Sequence, residues 1–251
     1  MLKYLKVNEK KISFLEELST GVCVLRREKT EVIVKKGLLL LVIMGAFVMA
    51  GCRDWGIMGV RGNGKVVTDE RNIANFTELE LGGAYSVDVK VGGKPSLVIS
   101  GEENILKYIK TYVEGERLIV ETRKNISPRK EIKIKITVPQ LDGLDASGAC
   151  DVYAENIQSD RFKLDLSGAG SIELNGKVDK CNIDISGAAS LDAKNLKSRN
   201  MKVNISGASS ADVYASEYID ASVSGVGSIT YYGNPKDVRK EVSGVGSISK
   251  K

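Results

Sequence analysis

From Leu141 to the end of the chain, apolar and polar residues alternate with a period of two, and Ser-Gly interrupts the alternation at regular intervals. Before one interruption Phe162, Leu164 and Leu166 share a face, while Lys163 and Asp165 share the other. Cys181, Ile183 and Ile185, then Met201, Val203 and Ile205, repeat the apolar set. After the interruptions Val152, Ile172, Leu191, Ala211, Ile229 and Ile248 form a second apolar column. A period of two on both sides of a glycine predicts two short strands joined by a corner. The interruptions are six copies of one motif: SGACDVYA from Ser147, SGAGSIEL from Ser167, SGAASLDA from Ser186, SGASSADV from Ser206, SGVGSITY from Ser224 and SGVGSISK from Ser243. Their starts lie 20, 19, 20, 18 and 19 residues apart, too close for a two-helix repeat and suited to one coil of a solenoid. A lone coil of that length cannot bury its apolar face and leaves its strand edges unpaired, so coils must stack. The pattern predicts an all-β fold, a parallel β-solenoid with about 19–20 residues per rung. Gly148, Gly168, Gly187, Gly207, Gly225 and Gly244 would be structural corner glycines, needed for a positive φ or because a Cβ has no room. The Ala or Val that follows each is expected to fill the tapered inner corner.

The domain is expected to span residues 71–251, with irregular rungs over 71–140 and the six repeats over 141–251. Leu79 and Leu81, then Tyr85, Val87, Val89 and Val91, alternate across Gly82-Gly83 as two strand-like runs. Residues 96–100, 117–122 and 132–138 read as further strands, and residues 102–113 as a short helical turn followed by a strand. Residues 53–70, rich in glycine and without periodicity, read as a flexible tether. Before it, Gly37 to Ala50 forms an apolar run behind Lys35 and Lys36, short for a membrane span and right for a signal-peptide core. The run ends Met49-Ala50-Gly51-Cys52. This resembles the lipobox of bacterial lipoproteins, with residues 37–52 as the signal and Cys52 as the lipidated first residue of the mature chain. Residues 1–36 read as a doubtful N-terminal extension, which a start codon assigned too early would explain.

Charge and composition narrow the chemistry. Nine Lys or Arg against five Asp or Glu lie in residues 1–52, so the formal charge of +5 leaves the rest close to neutral. That argues against nucleic acid as a partner, which requires clustered positive charge. There is no histidine, which excludes imidazole acid–base work, Ser-His-Asp and Cys-His nucleophiles, and histidine metal sites. The repeat register places Cys150 and Cys181 in different columns two rungs apart, beyond disulfide reach, so Cys181 reads as a small core residue.

Leu81 to Gly93 (LGGAYSVDVKVGG), Ser96 to Leu106 (SLVISGEENIL), Val113 to Val120 (VEGERLIV) and the Ser-Gly-Ala/Val repeats together resemble the putative auto-transporter adhesin, head GIN domain family of bacterial surface and periplasmic proteins. The resemblance covers about Phe76 to Ser249. It implies a right-handed coil, which periodicity does not show, and adhesion as the function.

Among polar positions, the outward column two residues before each repeat serine carries Asp145, Asp165, Asp184, Asn204, Ser222 and Glu241. Its stacked carboxylates could hold a cation or contact a ligand, but a single flat column without a glycine-bearing loop favours a solvated face over a metal site. Asp151, Ser171, Ser190, Ser210, Ser228 and Ser247 form a second polar column, whose serine hydroxyls are better explained by ladder and turn bonds. Tyr153, Tyr214, Tyr231 and Tyr232 could stack on sugar rings or cap apolar rungs. No converging acid–base cluster recurs, so no enzyme, cofactor or resident metal is expected. The expected function is a non-catalytic exported lipoprotein, an adhesin or binding module presenting its surface to a glycan or protein. Its expected place is the outer membrane of a bacterial envelope, through the lipid at Cys52. The alternatives are a structural lipoprotein forming an end-to-end homo-oligomer through the rung near Tyr231 to Lys251, and a polysaccharide-active β-helix enzyme.

Overall fold

The computed structural model describes residues 59–251. Cys52 and the signal, extension and first part of the tether lie outside the described residues. The fold is all-β. Its main body is a thirteen-stranded mixed sheet that does not close into a barrel.

The sheet is built on long parallel strands: β3 (Glu78–Val91), β9 (Gly143–Leu166), β10 (Ala169–Ile185), β11 (Ala188–Ile205) and β12 (Ser210–Val223), followed by β13 (Val226–Tyr232), β14 (Asp237–Val242) and β15 (Val245–Lys250). Each lies beside the preceding copy of the motif: Ile183 pairs with Leu164 on one side and Val203 on the other, and Ile172 with Val152 and Leu191. Matching positions therefore stack, and the two apolar columns expected from the alternation become one continuous core. Leu164, Ile183 and Val203 are completely buried, as are Ile172 and Ile229.

The stack begins one copy earlier than the six motifs. Gly82 to Val87 (GGAYSV) pairs without a register break with Ser147 to Val152 (SGACDV), so β3 is a seventh copy of the motif. A detour over residues 92–142 separates it from the second. In that detour β6 (Arg117–Thr122) and β8 (Lys133–Val138) pair parallel to the free edge of β3. Next come strands of opposite direction: β4 (Ser96–Glu102) pairs antiparallel with β8, β2 (Val66–Arg71) with β4, and β5 (Ile109–Glu114) with β6. A single-turn helix, α1 (Glu103–Leu106), buries Ile105 and Leu106. This antiparallel cap closes an edge that would otherwise offer unpaired N–H and C=O groups to another chain.

Two expectations need correction. Residues 60–70 are not tether: β1 (Val60–Arg61) pairs with β7 (Ile126–Ser127), and β2 joins the cap. The physical reason is Glu102, fully buried, whose carboxylate accepts the backbone N–H groups of Gly64 at 2.5 Å, Arg129 at 2.7 Å and Lys130 at 3.3 Å. A Cβ on Gly62 would lie 1.9 Å from the same carboxylate, so this glycine serves close packing against a latch. Burial alone would raise the carboxyl pKa; the three backbone donors and the Arg129 charge outweigh it, and the net direction is down.

The second correction concerns the corner. The Ala or Val after each motif glycine points outward, as Val226 and Val245 show at 62% and 76% exposure. The inner corner belongs to the next residue: Cys150, Gly170, Ala189, Ser209, Gly227 or Gly246. Ser209 is buried there and satisfied, donating to Gly187 O at 3.0 Å and accepting from Ala189 N at 3.0 Å. At the motif glycines themselves a Cβ would meet the carbonyl oxygen of the glycine one copy earlier, at 1.9 Å for Gly168, 1.7 Å for Gly187 and 2.1 Å for Gly225. Gly148 alone among the six also has a positive φ, of 113°. Close approach of neighbouring backbones, rather than φ, is what the ladder of glycines accommodates.

The final copy ends the stack differently. Val238 and Val242 occupy core columns yet stay 41% and 44% exposed. Lys240 stands in the column of buried Ala221, and Lys250 in that of Tyr231. Lys240 Nζ turns across the end of the core, donating to Ile248 O at 3.3 Å over the Tyr231 ring.

Candidate functional site

The outward column forms as one line of side chains. Asp165 pairs in register with Asp184, Asp184 with Asn204, Asn204 with Ser222 and Ser222 with Glu241. At the other end Glu80 stands beside Asp145. Glu80 was not anticipated, although the signal was present: Leu79 to Ala84 reads LELGGA, a copy of LDLSGA from Leu164 to Ala169. Asp145, Asp165, Asp184 and Asn204, with the motif serines Ser167, Ser186 and Ser206, line one shallow groove of about 310 Å³.

The groove is acceptor-rich, and its donors are few. Lys163 Nζ pairs with Asp165 at 2.6 Å, and Asn204 donates its amide N–H to Asp184 at 2.7 Å. Arg117 closes the cap end by bridging Glu78 at 2.8 Å and Glu80 at 3.1 Å. These pairs raise the Arg117 and Lys163 pKa values, chiefly through the hydrogen bonds to Glu78 and Asp165. Asp145, half-buried between Glu80 and Asp165, makes no side-chain hydrogen bond or ion pair among the described residues. Its pKa is raised by partial burial first, then by its two acidic neighbours, against the pull of Arg117 and Lys163. Among the described residues no three Cys, Asp or Glu side chains converge as a metal-ligand set.

Other sequence-predicted groups have local partners. Ser147, Ser206 and Ser224 donate to the carbonyls of Leu81, Ile185 and Ile205 in the neighbouring copy, and Asp151 accepts the Ser171 amide at 2.9 Å. Tyr231 is buried under the terminal copy, and Lys197 lies 4.0 Å from the centre of the Tyr214 ring. Cys150 and Cys181 are free and buried. A wider depression of about 870 Å³ lies near Gln158, Arg161, Lys177 and Asp179. Much of its polarity is spent internally, since Asp142 accepts from Gln140 at 2.9 Å and from Ser159 at 2.6 Å.

Chemically, the acidic column can accept hydrogen bonds from hydroxyl or amine groups along several copies at once, which suits recognition better than bond breaking. Residues 75–235 match the family described as putative auto-transporter adhesin, head GIN domain. A putative adhesin from Bacteroides fragilis is 26% identical with a TM-score of 0.64, covering 77% of this chain and 100% of that one. A second, from Parabacteroides merdae, is 20% identical with a TM-score of 0.51, covering 76% of this chain and 98% of the other. No curated protein matches the chain.

Proposed function

Because the chain belongs to the head GIN domain family of putative auto-transporter adhesins, we propose that it is an exported, non-catalytic binding module whose acidic column contacts a glycan or protein. In this reading the parallel stack is a right-handed β-solenoid with about 19–20 residues per rung, and a lipid at Cys52 holds it to the outer membrane of a bacterial envelope. The observation that carries the reading is Asp145: a half-buried carboxylate without a partner among the described residues, set in a groove of stacked acceptors. A polar group held out of full contact with water and left unpaired is most stable once a ligand donor reaches it. Support for a non-catalytic role comes from the absence of histidine and from the names of the structural relatives.

The structural alternative, end-to-end stacking, is disfavoured by Lys240 and Lys250, which put charge where a further copy would need apolar side chains. A glycan array probed with protein beginning at Arg53 tests the proposal. Binding is expected, and Asp145→Asn together with Asp165→Asn should abolish it. A blank array, with cell-associated protein that resists protease shaving, would instead favour a periplasmic structural role. Turnover of a polysaccharide that depends on Asp165 or Asp184 would overturn the non-catalytic reading.

A further inference from the structure

The cap carries a feature that the acidic column does not explain. The described chain enters at Gly59 and Val60, where Val60 donates its N–H to Asn125 O at 2.8 Å. Around this entry three segments are laced together: residues 59–65, 103–108 and 123–130. Gly62 N bonds Ser127 O at 3.0 Å, the Asn104 side chain bonds Arg61 O at 2.7 Å, and Arg123 N bonds Tyr108 O at 3.0 Å. The buried Glu102 ties Gly64 to Arg129 and Lys130.

These segments hold seven Lys or Arg and one Asp or Glu, whereas residues 59–251 as a whole hold 27 and 26. The one acid, Glu103, is paired with Lys65 at 3.1 Å, and Arg123 is paired with Glu121 at 3.1 Å. Arg61, Lys107, Lys124, Arg129 and Lys130 are exposed and form no ion pair among the described residues. Lys107 and Lys124 flank the half-buried Tyr108 ring at 5.1 and 5.3 Å, so an aromatic body with a polar tip sits within the basic cluster.

We propose that this end of the fold is a docking surface for an anionic bilayer. Charge complementarity at the point where the chain enters this end supports the docking, which rests in part on the proposed lipid anchor at Cys52. Only six residues separate Cys52 from Gly59, and the seven Cα-to-Cα steps reach at most about 25 Å. An anchor there would hold the basic end against the headgroups, while anionic lipid would add roughly one fivefold gain in binding for each basic side chain near the surface. The attraction would orient the stack with its cap on the membrane and its later copies pointing away.

Vesicle sedimentation tests this with protein beginning at Arg53 and carrying no lipid; the buried core runs from Phe76 to Tyr231, so the shortened protein keeps every core residue. The protein should bind equimolar phosphatidylcholine–phosphatidylglycerol vesicles, release with added salt, and ignore pure phosphatidylcholine. Substituting Lys124→Ser, Arg129→Ser and Lys130→Ser should weaken binding about a hundredfold. The latch uses backbone N–H groups of Arg129 and Lys130, so the circular dichroism melt should be retained. A control with the same charge change, Lys180→Ser, Lys197→Ser and Lys202→Ser, should bind nearly as the parent does. Equal losses in both variants, equal binding to neutral vesicles, or retention on heparin without vesicle binding would overturn the proposal. Because no lipid is attached, these outcomes are independent of the anchor, which mass spectrometry of the mature amino terminus addresses separately.

Discussion

Replacing Gly187 by Ala isolates the ladder of motif glycines. Gly187 does not have a positive φ, so Ala introduces no backbone strain of its own. The added Cβ would lie 1.7 Å from Gly168 O and 2.8 Å from Gly168 C, atoms fixed in the adjacent strand. That oxygen would have to retreat to at least 3.0 Å, and the retreat breaks the bond from Ala188 N to Gly168 O, now 3.0 Å. The neighbouring bond from Ser186 N to Leu166 O, 2.8 Å, is strained with it. Two weakened backbone bonds contribute about 1 kcal/mol each, and forced separation of packed strands adds about 1–3 kcal/mol. Reduced freedom of the unfolded chain returns about 0.4–1 kcal/mol, leaving a net loss of about 2–5 kcal/mol. Gly82→Ala is the matched control, because its nearest neighbours are 3.8 Å and farther. Urea unfolding followed by far-ultraviolet circular dichroism should lower the midpoint strongly for Gly187→Ala and little for Gly82→Ala; Gly168→Val should exceed both. Hydrogen exchange should place the damage at Ala188. An unchanged midpoint for Gly187→Ala, or equal effects at Gly187 and Gly82, would refute the steric argument.

Burial pushes the Cys181 thiol up to about 12 from its usual 9.0, so its contribution is intact below the unfolded value and is lost as pH rises through that window. The loss should approach roughly 4 kcal/mol at the alkaline end, Cys181→Ala should flatten it, and neither Cys150 nor Cys181 should react with thiol reagents before unfolding. Glu102 has the opposite sign: its folded pKa is depressed, so its contribution holds above the ordinary Glu value and fades as pH falls through the folded one. Glu102→Gln should destabilise the cap at neutral pH and reduce the acid sensitivity of unfolding, read by hydrogen exchange at Gly64, Arg129 and Lys130. Lys240→Val with Lys250→Val should turn the open end into an apolar edge, seen as concentration-dependent association in light scattering; a persistent monomer would count against inward charge as the block.

The stack was legible because its physics repeats. Each core column, such as Leu164, Ile183 and Val203, recurs at one position of a periodic motif, and stacking follows from the need to bury it. The cap was less legible because its constraints are single events. Glu102 looks like any surface acid in the sequence, and its burial depends on backbone donors more than twenty residues away on both sides. That is why residues 60–70, held by the latch and short strand pairing, read as a tether. The corner is misread for a different reason: the small size of Ala169 suits an inner corner, whereas parity carried across the glycine, through Leu166, Gly168, Gly170 and Ile172, already points to Gly170. The acidic column was readable from parity alone, except Glu80, hidden because residues 92–142 intervene before the second copy.

The two ends of the stack solve the same edge problem by different means. At the cap, the parallel strands β6 and β8 occupy the edge of β3, with antiparallel strands beyond them, and β6 brings Arg117 onto Glu78 and Glu80, so the acidic column is terminated by a fixed countercharge. At the far end nothing covers β14 and β15 among the described residues, and lysines on the core face oppose a further copy. A stack closed by structure at one end and by charge at the other has a direction. The column must therefore differ along its length: Asp145 is tuned by Glu80, Arg117 and burial, Asp184 is taken up by Asn204, and beyond Asn204 the line weakens to Ser222 before ending in the exposed Glu241. A ligand that depends on unpaired acceptors should consequently bind nearest the cap. Single Asp145→Asn should cost more binding than single Asp184→Asn, and equal costs would show that the column acts as a uniform surface.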